Sequence, residues 1–186
     1  MLDAGCGTGE FAERVAHVLG VEVVGVDQSE RMVELTRARG LEAQVADVQS
    51  LPFADGEFDA VSATWMLYHV ADLDRGLAEL ARVLQPGGRL VAITNSVRHL
   101  EEIWGVDDGL AIHADNGEEI LGRHFARVER RDVVGAATFV TRENLRAYLA
   151  AFETLHGRDE TDRLAGLDVP LRAMCRNALF VADKAP

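Results

Sequence analysis

Eight residues near the start of the chain, Leu2-Asp3-Ala4-Gly5-Cys6-Gly7-Thr8-Gly9, restrict the fold more than any other segment. Three glycines at alternate positions sit between a short β-type run, Met1 to Ala4, and a helical pattern, Glu10 to Leu19. In that pattern Phe11, Val15, Val18 and Leu19 form an apolar stripe, and Gly20 closes it. Glycine lets the backbone turn tightly and approach a ligand that a Cβ would exclude. The free N–H groups at the start of the following helix favour a polar or anionic group. Taken alone, the loop also reads as a tight strand-to-helix turn.

Further along, β-type and helical patterns alternate, which predicts a parallel α/β sheet. Val21 to Val26 reads as a buried strand and Ser29 as the cap of a helix ending near Gly40. Glu42 to Val48 and Phe58 to Thr64 are expected as the next strands, the latter entered through Ala54-Asp55-Gly56. Leu73, Leu77, Leu80, Ala81 and Leu84 line one face of a helix, stopped by Pro86-Gly87-Gly88 before a strand from Arg89 to Thr94. The second half predicts a capped helix over Asn116 to Phe125 and a strand over Val128 to Val134. A helix capped by Thr141 follows, with Leu145, Tyr148, Leu149 and Phe152 on one side. Arg158 to Asp168 reads as a charged loop and Arg176 to Ala182 as a closing strand. With 186 residues, 48% of them apolar, and no repeat, the expectation is one domain over 1–186. Its two halves are 1–95 and 96–186.

Asp27 ends the second predicted strand, 18 residues after Gly9. In doubly wound sheets an acid there faces the ribose of a bound nucleotide, where a carboxylate can accept from both hydroxyls; it also reads as a cap of the next helix. A nicotinamide or flavin site wants a third small residue in G-x-G-x-x-G, and counted from Gly5 and Gly7 that position is Glu10. The loop is instead Asp3-x-Gly5-x-Gly7-x-Gly9, with an acid ahead of the first glycine.

This loop resembles the first motif of the class I S-adenosylmethionine-dependent methyltransferases. Gly25-Val26-Asp27-Gln28-Ser29 is similar to their second motif, and Val45-Ala46-Asp47-Val48 followed by Leu51-Pro52-Phe53 to their third. Phe58-Asp59-Ala60-Val61, Leu67-Tyr68-His69-Val70 and Leu84-Gln85-Pro86-Gly87-Gly88-Arg89-Leu90 extend the likeness, which is nearest the small-molecule type that methylates ubiquinone and menaquinone precursors. The resemblance implies a Rossmann-like, doubly wound, mostly parallel sheet of about seven strands. Helices would cover both faces, the last strand would be antiparallel and the first shortened. It implies S-adenosylmethionine as cofactor, held by Asp3, Gly5, Cys6, Gly7, Asp27, Gln28, Asp47 and Val48, with Thr64 and Trp65 near the methyl end. His69, just past the fourth strand, is the candidate general base; it also reads as a packing residue, and Tyr68 is a weaker candidate.

The expected acceptor is a small molecule. Acidic residues outnumber basic ones 31 to 19, a net charge of −12, and the densest basic cluster is only Arg127, Arg130 and Arg131. Counterion release cannot drive such a surface onto nucleic acid. Enzymes that methylate exocyclic amines of DNA bases carry Asp or Asn, then Pro-Pro and an aromatic, where this chain has Ala63-Thr64-Trp65-Met66, and no Pro-Cys nucleophile occurs. The longest run without Asp, Glu, Lys or Arg is 12 residues, Ala60 to Ala71, too short for a membrane span. Two distant cysteines suit the cytoplasm, and neither His99 with Glu101 and Glu102 nor His113 with Asp115 has a recognised metal spacing. The oligomeric state stays open. Relatives of this type place ~30–50 residues ahead of the glycine loop, as helices flanking an open sheet. The chain is therefore expected to be a shortened or mis-started form. Such a form is either still active or reduced to a cofactor-binding, partner-dependent domain; a nicotinamide-dependent oxidoreductase is the remaining reading.

Overall fold

The computed structural model describes residues 1–156 and 166–186. Its first half alternates β1 (Leu2–Ala4), α1 (Glu10–Leu19), β2 (Val24–Asp27), α2 (Glu30–Ala38) and β3 (Glu42–Val45). Strand β4 (Phe58–Thr64), helix α3 (Leu73–Val83) and strand β5 (Leu84–Asn95) follow. The second half holds α4 (Glu101–Trp104), α5 (Gly117–Leu121), β6 (Arg127–Phe139), α6 (Arg142–His156) and β7 (Leu171–Asp183). The seven strands form one sheet in the order β3-β2-β1-β4-β5-β7-β6. The first five run parallel, and β7 is antiparallel to both β5 and β6. The order reverses at β1, which places a crevice beyond the C-terminal ends of β1, β2 and β4.

Helices pack on both faces. Gly25 of β2 lies under Cys6 and Thr36, so that α2 approaches the sheet where a Cβ would meet the Cys6 sulfur at 2.9 Å. On the other face Phe180 of β7 fills the space left by Gly117 of α5, and it is fully buried. The register Phe180↔Ala92 and Ala63↔Ala92 puts this face opposite the one shared by Gly25, Asp3 and Ser62. The main core joins Leu2, Val26, Val61, Leu77, Leu80, Leu90, Leu121 and Phe180.

Helix ends follow their local chemistry. Ser29 Oγ accepts from Met32 N, Asp72 from Arg75 N, and Thr141 Oγ1 from Asn144 N, each a side chain answering a free N–H in a first turn. Gly20 closes α1 in the left-handed conformation, with φ of 65°.

Several expectations are corrected. Strand β2 begins at Val24, and β3 ends at Val45, because Asp47 folds the chain into a turn in which its carboxylate accepts from Gln49 N. Helix α3 ends before Pro86-Gly87-Gly88: Leu84 is already extended and pairs with Phe58, and the glycines bulge out before Arg89 pairs with Ala60. Helix α5 is shorter than predicted, because Asn116 Oδ1 accepts from His113 N instead of capping. The α1 stripe is not a core stripe throughout: only Ala12 is buried, and Val18 and Leu19 are 66% and 67% exposed.

The largest departure is the length of β6 and β7. They pair from Arg127↔Asp183 to Phe139↔Leu171, whereas β5 accompanies β7 only as far as Asn95↔Asn177. Beyond that point they form a two-stranded ribbon, packed by α4 and α6 through Leu100, Ile103, Phe139, Leu145, Leu149 and Ala173. The Phe152 side chain lies outside the described residues, as does most of Arg158 to Asp168. Among the described residues, no helix is long and apolar enough to cross a membrane.

Phe180 joins the main core through α5, so Phe180→Ala is expected to cost roughly 3–5 kcal/mol by leaving a cavity. Urea unfolding should show a lower midpoint with an unchanged slope.

Candidate functional site

The crevice at the strand ends opens as a cleft of about 490 Å³. The glycine loop builds one wall. Gly5, Gly7 and Gly9 all adopt positive φ, 69°, 55° and 76°. A Cβ at Gly5 would sit 2.8 Å from the Met66 side chain, and one at Gly9 would sit 2.9 Å from the Thr36 backbone. The loop is tied down from the neighbouring elements. Gly7 N donates to Asp27 Oδ2 at 3.0 Å, Thr36 Oγ1 donates to Gly7 O at 3.0 Å, and Arg39 Nε donates to Thr8 O at 2.8 Å.

Asp27, at the end of β2, also accepts from Ser29 N through Oδ1 at 2.9 Å. Two of its roughly four acceptor directions are therefore filled by backbone, and the residue lines the cleft with Gln28 beside it. Asp47 and Val48 line the floor. Gln49 N holds the Asp47 carboxyl below the usual carboxylate range, and the Gln49 amide binds it at 3.0 Å. Gln49 Oε1 in turn accepts from Asp72 N, which links the floor to the start of α3. The far wall is Trp65, Met66 and His69, after β4. Trp65 has a positive φ of 54°, which is strained for a tryptophan, and is 46% exposed. His69 ends a single 3-10 turn, Leu67–His69, with its ring edge-on to Tyr68. Burial pushes the Tyr68 phenol up to about 12, so it is no base near neutral pH.

The cleft thus brings together Gly5, Gly7, Asp27, Gln28, Asp47, Val48, Trp65 and His69. Asp3, Cys6 and Thr64 do not line it. Asp3 is 1% exposed and turned toward β4, where Ser62 Oγ donates to it at 2.6 Å. Burial raises its pKa to about 6; the Ser62 bond opposes this, and the Asp27 charge adds to it. Cys6 is buried against Thr36 and Gly25, and burial raises its thiol to about 11. Thr64 is half-buried and stays in the sheet opposite Ile93. Met32, Gln49 and Met66 line the cleft without having been singled out in the sequence; the Asp47-x-Gln49 turn is the one local signal among them.

Among the described residues, the lining holds two carboxylates, Asp27 and Asp47, and no Lys or Arg. Such a surface receives cationic and polyhydroxylated groups and disfavours a pyrophosphate. His99 Nδ1 is engaged by the Arg176 backbone, and His113 Nδ1 by Asp115 N. Among the described residues, no group of three or more His, Cys, Asp or Glu converges to hold a metal.

Comparison with known proteins agrees with this geometry. Residues 2–92 match the family model described as a methyltransferase domain. Demethylmenaquinone methyltransferase of Thermus thermophilus is 44% identical over 100 residues, covering 50% of this chain and 46% of that protein. The 27-O-demethylrifamycin SV methyltransferase of Amycolatopsis mediterranei is 42% identical over 98 residues, covering 48% of this chain and 36% of that protein. The match thus spans less than half of either relative. Phosphoethanolamine N-methyltransferase 2 of Haemonchus contortus, solved with S-adenosyl-L-methionine, shares the fold over 100% of this chain and 48% of its own, with a TM-score of 0.65 at 22% identity.

Because Asp3 is raised to about 6 from an ordinary value of 3.8, the folded state holds its proton more tightly than the unfolded chain. Its contribution is fully present below about 3.8 and is lost as pH rises through about 6. Asp3→Asn removes this loss. Urea midpoints at pH 4.5 and 7 should show the variant gaining on the wild type by roughly 1–3 kcal/mol at the higher pH.

Proposed function

We propose that this chain, whose residues 2–92 match a methyltransferase domain, binds S-adenosylmethionine in the cleft and transfers its methyl group to a small-molecule acceptor. The observation that carries the reading is the cleft's charge: two carboxylates and no cation beside a glycine loop. A pyrophosphate cofactor would meet repulsion there, and a sulfonium with an unphosphorylated ribose would not. This favours methyl transfer over the nicotinamide reading.

Asp27 accepts from the ribose hydroxyls with the oxygen directions its backbone donors leave open. Asp47 accepts from the adenine amino group, and Val48 packs on the ring. Gly5 and Gly7 let the backbone lie close to the cofactor, with Gln28 alongside and Trp65 at the methyl end. Asp3, Cys6 and Thr64 act from behind the wall, Asp3 by fixing β1 against Ser62 and Cys6 by filling the space over Gly25.

The cofactor supplies an electrophilic methyl on a sulfonium that leaves as a neutral thioether. The protein's part is to hold the acceptor in line and exclude water, which can supply most of the rate. His69, on the wall beside Trp65, takes the proton when the acceptor is a hydroxyl. In this division residues 1–95 bind the cofactor and 96–186 shape the acceptor side. The two curated relatives act, by their names, on demethylmenaquinone and on demethylrifamycin SV. The net charge of −12 also argues for a small molecule over nucleic acid.

Calorimetric titration with S-adenosylmethionine and S-adenosylhomocysteine tests the reading. Both should bind the folded chain, and Asp27→Ala should weaken both about tenfold or more. No binding by a folded sample would overturn it. Once turnover is measured, His69→Gln should lower kcat by about 10²-fold or more for a hydroxyl acceptor, leaving cofactor affinity unchanged.

A further inference from the structure

Strand β6 is the outer edge of the sheet, and its free side is long and flat. It pairs with β7 without a bulge over all 13 of its residues, from Arg127↔Asp183 to Phe139↔Leu171. Ala126 N donates to Asp183 O at 2.9 Å, so the odd-numbered residues of β6 aim their backbone groups at β7. On the other side of β7, Ser96 N donates to Arg176 O, as the alternation requires. The N–H and C=O groups of Val128, Arg130, Asp132, Val134 and Ala136 therefore point outward. Among the described residues, no strand pairs with them. Residues 131–136 are all exposed, so both faces are open there as well as the edge; Val133 and Val134 are 50% and 64% exposed. Proteins ordinarily blunt such an edge with a proline, a lysine or a bulge, and β6 has none of these.

Independently of what the cleft binds, we infer that this edge receives the same edge of a second copy of the chain, antiparallel about a two-fold axis, so that two sheets become one. The charge pattern selects both the partner and the register. The chain carries a net charge of −12, so two copies repel except where local charges cancel. Strand β6 sets Arg127, Arg130 and Arg131 against Glu129 and Asp132. A purely acidic or purely basic strand would match only part of that alternation. Only outward residues exchange hydrogen bonds, so the axis passes through a residue and not between two. An axis through Arg131 overlaps residues 127–135 and sets Arg130 opposite Asp132 of the second copy, and Asp132 opposite Arg130, on one face. It also sets Val128 opposite Val134 at both ends. Arg131 then meets its own copy, and it is the most exposed arginine of the strand, its side chain 71% exposed against 68% for Arg127 and 26% for Arg130. Glu129 lies 3.8 Å from it in each chain and offsets that contact. An axis through Arg130 would press the least exposed guanidinium against itself, and one through Asp132 would do so with a carboxylate. Axes through Val133 or Val134 bring no opposite charges together.

Sedimentation velocity on the full chain tests the pairing. At about 100 μM the wild type should run as a dimer. Val134→Pro removes an outward N–H and leaves the ladder to β7 intact, so it should run as a monomer with unchanged far-ultraviolet circular dichroism. Cysteines in a Cys175→Ala background locate the axis. Arg131→Cys falls on it as a non-hydrogen-bonded pair, about 4.5 Å between Cα atoms and within disulfide reach. Mild oxidation should cross-link it about tenfold or more faster than Val133→Cys, which faces Glu129 of the second copy. A monomeric wild type overturns the inference, as does a dimer that the folded proline variant leaves intact. Cross-linking at Val133→Cys that equals or exceeds that at Arg131→Cys overturns the register and the charge argument with it. If the proline variant does not fold, the two cysteine variants decide alone.

Discussion

The carboxylate of Asp27 holds the site together. It accepts from Gly7 N and Ser29 N, and so joins the loop that opens α1 to the loop that opens α2. A loop with glycines at alternate positions is entropically expensive to order, because each loses more freedom than any other residue. The Asp27 bond, the Thr36 hydroxyl on Gly7 O and the Arg39 guanidinium on Thr8 O restrain it from three directions. Glycine supplies the close approach to Met66 and Thr36, and the polar ties supply the rigidity. Neither alone would give a preformed wall, and a preformed wall lowers the ordering cost of binding.

The same carboxylate shapes the electrostatics beneath the loop. Asp3 lies behind the glycine wall, deeply buried and bonded to Ser62, and the Asp27 charge adds to the burial that raises its pKa. Ionising Asp3 would add a third negative charge next to Asp27. Asp47 is the opposite case: it is exposed, braced by Gln49 backbone and side chain, and held low. The donors around Asp47 favour its charged form, whereas Asp3, removed from water, holds its proton more tightly. Asp27 and Asp47 thus face the cleft, while Asp3, beside the glycine loop, supports it from behind.

That distinction was not legible in the sequence, and the reason is geometric. Asp3, Cys6 and Thr64 sit in or beside motif positions, but which way each side chain points depends on the ladder pairings Asp3↔Ser62 and Thr64↔Ile93, which are contacts between distant segments. Some local signals match the structure, although the Asn116 cap, the Pro86-Gly87-Gly88 stop and the α1 stripe do not. Gly20 at the end of α1, the Ser29 and Thr141 caps and the stripe Leu73, Leu77 and Leu80 of α3 each act within a few residues. The ribbon of β6 and β7 was read at about half its length. Val134 to Phe139 contains Gly135 and two alanines, weak strand formers, and is extended because β7 pairs with it, with Ala137 and Phe139 packed in the second cluster. The left-handed Trp65 likewise follows from the sheet holding its N–H on Ile93 O at 2.8 Å, not from any preference of tryptophan.

Strand β7 connects the two cores. Its C-terminal part lies between β5 and β6 over the main core. Its N-terminal part loses β5 and is bonded instead by the segment after it: Ser96 N to Arg176 O, Leu100 N to Met174 O, and Met174 N to Glu102 Oε2. The change of partner falls at Arg176 and Asn177. Alternation along a strand sends these two side chains to opposite faces. The guanidinium is therefore committed to Glu101 on one face, and the carboxamide meets Trp65 on the other. Shifting the register of β7 by one residue would exchange them and turn the arginine toward Trp65. The face that each of these two side chains takes is therefore set by the same pairing that buries Ala178, Phe180 and Ala182, so the charge presented beside Trp65 is fixed by the packing of the core.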